Sequence, residues 1–153
     1  MKPIKQLAFL AACVMSLSTL TPVFAQSIQP VTIESKMGFD ETISAIRQAV
    51  SKGGMMVLSE LNQGKILSMT GLHIHAASLF IGNPNAGKMA FQDNPAVGVV
   101  IPVRVNIYED HGHTYINYFK PSDLLAAFQG EKVHMLGNML DKKLESMMGM
   151  LSR

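Results

Sequence analysis

Two histidine pairs and one run of polar and aromatic residues hold most of the chemistry this sequence offers. His73/His75 and His111/His113 are each separated by a single residue. In an extended segment both imidazoles of such a pair project from one face, about 7 Å apart, so one metal ion can take both. A third ligand would come from Glu109, Asp110 or a methionine. Imidazole and thioether ligands suit copper and zinc, and haem iron takes the same groups. Copper, zinc or haem is therefore admitted by the residue types, while none is required. Against this stands the ordinary reading, in which His111 and His113 flank a solvated turn. Met135, Met139, Met147 and Met148 then fall at core spacing on one helix, where methionine is a ready filler.

The second candidate lies on a predicted hairpin. Val97 to Tyr108 is the longest strand signal, with Val99, Ile101, Val103, Val105 and Ile107 on a core face. The opposite face holds Val100, Pro102, Arg104, Asn106 and Tyr108. Asp110-His111-Gly112-His113 reads as a tight turn, and Thr114 to Phe119 runs back. With His111-Gly112 at the turn, Asp110 pairs with His113, Ile107 with Ile116, Val105 with Tyr118, Tyr108 with Tyr115, and Asn106 with Asn117. A slip of one residue would place the Asn117 amide among the core valines. The predicted register assembles Arg104, Asn106, Tyr108, Tyr115 and Asn117 on one face, with His113 near its end. A guanidinium, two amides and two phenols suit an anionic or hydrogen-bonding ligand. The same composition serves a solvated sheet face or a dimer contact. On either view, substitutions there should barely change stability.

Familiar catalytic signatures are missing. The chain has no Gly-x-Ser-x-Gly elbow and no His-Glu-x-x-His helix. Gly82-Asn83-Pro84-Asn85-Ala86-Gly87-Lys88 lacks both the spacing and the hydroxyl residue of a phosphate loop. It reads as a turn feeding a capped helix.

The elements that must position these residues follow from periodicity. Val31–Ser35 alternates as a strand, and Phe39, Ile43, Ile46 and Val50 form one face of a helix stopped by Gly53-Gly54. Met55–Leu61 is a second strand, and residues 62–72 fit either a loop or one short helix. His73–Ile81 is the third strand, followed by a helix from Pro84 to Gln92 capped by Asn83. After the hairpin, a short helix opens at Pro121. A long one carries Val133, Leu136, Leu140, Leu144, Met147 and Leu151 on one stripe. The order β-α-β-β-α-β-β-α-α predicts an α+β fold: one mostly antiparallel sheet with helices packed on one face.

Residues 1–25 have the layout of a cleaved signal peptide. Lys2 and Lys5 head an uncharged stretch from Leu7 to Leu20, and Pro22-Val23-Phe24-Ala25 precedes Gln26 with small residues. Residues 26–30 are then a short linker and 31–153 a single domain. The expected location is periplasmic or secreted. A lipid anchor on Cys13, within Leu10-Ala11-Ala12-Cys13, is the lesser alternative because the apolar stretch continues past it. Loss of the leader removes the only cysteine, and with it any disulfide or thiol chemistry. It also removes two of the 13 basic residues, leaving 11 against 11 acidic ones. A neutral domain has no electrostatic footprint for nucleic acid, and no later apolar run is long enough for a transmembrane span.

Several landmarks together resemble the family called domain of unknown function 302, DUF302. They are Phe39-Asp40-Glu41-Thr42, the Gly53-Gly54 step, Asn83-Pro84, Asn94-Pro95 with Gly98, and Ile101-Pro102-Val103-Arg104-Val105-Asn106-Ile107-Tyr108-Glu109. The resemblance spans roughly residues 31–128 and implies a compact α+β domain, often a homodimer, with no established activity. Many relatives carry cysteine just before the Asn-Pro and just after the strand proline; here those positions are Gly82 and Val103. Any thiol or metal chemistry that relatives run through that pair is closed to this chain. The leading expectation is an exported domain that binds a small molecule or protein partner on the hairpin's polar face. A metal or haem handler using the His-x-His pairs comes next, and an enzyme of unknown class third.

Overall fold

The computed structural model describes residues 27–152; the leader, Cys13 and the Ala25-Gln26 junction lie outside the described residues. Five strands form one antiparallel sheet in the order β1-β5-β4-β3-β2. The strands are β1 (Val31–Glu34), β2 (Met56–Leu61), β3 (Ala76–Gly82), β4 (Val103–Asp110) and β5 (His113–Tyr118). The helices are α1 (Phe39–Lys52), α2 (Gln63–Ser68), α3 (Pro84–Asp93), α4 (Pro121–Leu125) and α5 (Glu131–Gly149). The fold is the α+β domain that the residue pattern predicts. The ambiguous stretch after β2 resolves as α2, because the Asn62 side chain accepts the Lys65 amide and starts a helix.

One face of the sheet carries the core. Leu79, Ile81, Val103, Val105, Ile107 and Ile116 are buried there beneath Ile46 and Val50 of α1 and Val133, Leu140 and Leu144 of α5. The long helical stripe packs as predicted, with Val133, Leu136, Leu140, Leu144, Met147 and Leu151 all buried. Met135 and Met139 depart from the core reading: they sit on the outer side of α5, 64% and 40% exposed.

The long strand over Val97–Tyr108 is shorter than predicted. Asn94 accepts the Ala96 amide and Pro95 occupies the first position, so Pro95–Val99 winds into a 3-10 helix. That rotation throws Val99 to 82% exposure, where alternation placed it in the core. Pro102, which has no N–H to offer a ladder, precedes the true start of β4 at Val103. Beyond that point the predicted register is the observed one. Asn106 pairs with Asn117, Ile107 with Ile116, Tyr108 with Tyr115 and Asp110 with His113. His111 (φ 49°) and Gly112 (φ 81°) both take the left-handed backbone of a two-residue turn matched to strand twist.

Candidate functional site

The sheet face turned away from the core brings the five hairpin residues together, but as a linked network rather than a row of free donors. Arg104 Nε donates to Ser78 Oγ at 2.9 Å. Ser78 Oγ lies 3.2 Å from Asn106 Oδ1, and Asn106 Nδ2 donates to Asn117 Oδ1 at 3.1 Å. Tyr108 and Tyr115 stack with centroids 5.4 Å apart. Alternation alone did not reveal Gln63, the first residue of α2, whose Nε2 reaches Ser78 Oγ at 2.6 Å. Ser78 beneath it is fully buried, and Asn106, Tyr108, Tyr115 and Asn117 are half-buried. The expectation of a freely solvated face is corrected accordingly. Gln63 Oε1 is buried without a hydrogen-bond partner. Arg104 itself stays exposed.

The histidines do not converge. His73 and His75 precede β3 instead of lying on it, since the chain becomes a strand only at Ala76. His75 pairs with Glu109 and stacks on Phe39. His111 Nδ1 lies 2.9 Å from Asp110 Oδ1, and His113 Nδ1 2.9 Å from Glu34 Oε1. Each of these three histidines is thus paired with a different carboxylate at the turn end of the hairpin. Among the described residues no three His, Cys, Asp or Glu side chains are grouped to hold one metal ion.

An apolar concavity lies elsewhere, at the end of the sheet where β3 runs into α3 and the chain enters β4. It is a cleft of about 400 Å³, open on one side. Buried Met55, Ile81, Ile101, Val103, Leu136 and Leu140 form its floor. Exposed Leu58, Met89, Phe91, Pro102 and Met139 form its rim. The Asn83 side chain is committed to the turn: Oδ1 accepts the Asn85 and Ala86 amides, and Nδ2 donates to Gly54 O. Lys143 is the one charged residue in the lining, its Nζ donating to Gly53 O at 2.7 Å. Periodicity did not point to this cleft. The sequence features that fall on it are Gly82 and Val103, where the family pattern is interrupted.

A five-stranded antiparallel sheet backed by helices, with an apolar cleft at one end, defines a small α+β domain. The chain belongs to the family "Domain of unknown function DUF302", whose model matches residues 31–151. The crystal structure of an uncharacterised conserved DUF302 protein from Bacillus stearothermophilus superposes with a TM-score of 0.73 at 22% identity. It covers 80% of this chain and 97% of that one, and shows the fold. The chain is also similar to fluoride-specific ion channel FluC 1 of Brucella suis biovar 1, 32% identical over 81 residues. FluC 1 of Brucella abortus biovar 1 matches at the same identity and length. The shared segment is 52% of this chain but only 32% and 30% of those channels, so the chain spans about a third of the curated relatives it matches.

Proposed function

We propose that this protein is an exported, non-enzymatic domain that binds a small, largely apolar molecule in the cleft between β3, α3 and α5. The cleft itself carries this reading. About 400 Å³ lies within the range of small-molecule sites, and its walls are apolar with few polar groups, as such sites are. Methionine at three lining positions, Met55, Met89 and Met139, gives an adaptable surface. The leader sequence supports export. The channel relatives support a module rather than a transporter: no helix among the described residues is long and apolar enough to cross a membrane. Conduction would then belong to the part of those channels outside the shared segment.

Titration with Nile red, a neutral apolar fluorophore, tests the site. Its emission should brighten and shift to the blue with saturable stoichiometry, and Met139→Trp at the rim should suppress this without lowering the melting temperature. Unsaturable binding, or equal binding by that variant, would remove the cleft from the function.

A second reading keeps the hairpin face, favoured by the buried, unpartnered Gln63 Oε1 beside the exposed Arg104. A ligand donating to that oxygen while presenting an anionic group to the guanidinium would satisfy both. Native mass spectrometry of wild type and Arg104→Ala distinguishes the readings, since an identical ligand load on the two removes Arg104 from the site.

A further inference from the structure

We infer that the occupant of the cleft is a single-chain aliphatic carboxylate, held by its hydrocarbon body against the floor and by its head group at Lys143. This rests on the cleft being the binding site. The argument starts from charge. Lys143 is half-buried and is the only ionisable residue in a lining that is otherwise apolar apart from Asn83 and Asn85. Its ammonium donates to the Gly53 carbonyl at 2.7 Å, and no carboxylate of the described residues lies within ion-pair distance of it. An ammonium has three donors, so Lys143 can keep its bond to Gly53 and still receive an anion. A half-buried cation without a counter-charge beside an apolar wall is incompletely compensated, and a carboxylate supplies what is missing.

Shape restricts the rest of the ligand. The floor side chains Ile81, Ile101, Leu136 and Leu140 present no hydrogen-bonding side-chain atoms to the cleft's interior. The Asn83 amide is already occupied by the turn. A sugar or nucleotide would leave its own polar groups unpaired against these walls. A flexible alkyl chain would not, and rim residues such as Met89 and Met139 can adjust along its length. A volume near the lower end of the usual ligand range favours one chain over two.

Displacement of Nile red by dodecanoate and by the uncharged dodecanol separates the two levels of the claim. Dodecanoate should compete more strongly than dodecanol. Lys143→Ala should weaken dodecanoate about tenfold or more, as loss of a charge-assisted hydrogen bond predicts, and leave dodecanol unchanged. Lys143→Arg, which keeps the charge, should restore much of the difference. Thermal melting of each variant checks that the Gly53 contact is not what was lost. Equal competition by the two probes, or equal weakening of both by Lys143→Ala, would overturn the carboxylate assignment while leaving an apolar site in place. Failure of both probes to displace Nile red would overturn the cleft reading itself.

Discussion

Asn106 and Asn117 stand opposite each other, as strand alternation and a two-residue turn require. Pairing was legible because it depends only on period and turn length; the surroundings were not, because α2 reaches this face from a stretch with no clear period. The consequence is measurable. Asn106→Ala would leave the buried Ser78 hydroxyl and the Asn117 amide short of a partner, so we expect a loss of about 1–3 kcal/mol in urea denaturation. Ile107→Ala and Ile116→Ala, fully buried on the other face, should cost about 2–5 kcal/mol through lost burial and a cavity. A loss below about 0.5 kcal/mol for Asn106→Ala, the usual surface value, would mean the network contributes nothing to stability. Tyr118 gives a separate, pH-dependent test. Burial, then the carboxylates Glu145 and Asp141, raise its phenol above the usual value near 10. The folded state therefore holds the proton when the unfolded chain has released it, and stability is lost as pH rises from about 10 through the raised value. Tyr118→Phe should flatten that decline above about pH 10 relative to wild type, and an unchanged slope would dismiss the effect.

At the level of elements, the strands and helices with a clean period were readable, and the exceptions have local causes. Pro95–Val99 looked like strand because it is apolar, but Asn94 capping and a proline at the first position outweigh hydrophobicity over so short a run. Apolar Leu72 and Ile74 extend the same strand signal over His73/His75, upstream of the actual start of β3 at Ala76. What holds that segment in place is contact with α2. A Cβ added at Gly64 would land on the Ile74 carbonyl oxygen, so the helix sits directly on the residues leading into β3. Backbone cannot yield as a flexible side chain can. We expect Gly64→Ala to destabilise the protein by about 1–3 kcal/mol despite alanine's better helix propensity. Hydrogen exchange should show lost protection concentrated in residues 62–76. Neutral or stabilising behaviour would mean that α2 is not seated against the Ile74 segment.

For the molecule as a whole, the question is what covers the apolar surface that one chain leaves open. Met56, Leu58 and Leu61 on β2, Ile66 on α2, and Met69, Leu72 and Ile74 beyond it are all substantially exposed within a single stretch of chain. No further strand of the described residues covers the outer edge of β2, since it ends the sheet. A register irregularity between Val57 and Ser59 and the charged Glu60, paired with Arg47, make that edge a poor template for adding a strand. Side-chain contact is the better route to burial, and a second copy presents the same surface in self-complementary form. We expect the 26–153 chain to scatter light as a dimer at micromolar concentration. Leu61→Lys and Ile66→Lys, both at exposed positions, should give a monomer whose circular dichroism is unchanged. A concentration-independent monomer mass for the unmodified chain would refute self-association. A dimer that survives both lysine substitutions would place the contact on another surface and leave residues 56–74 as bare apolar surface.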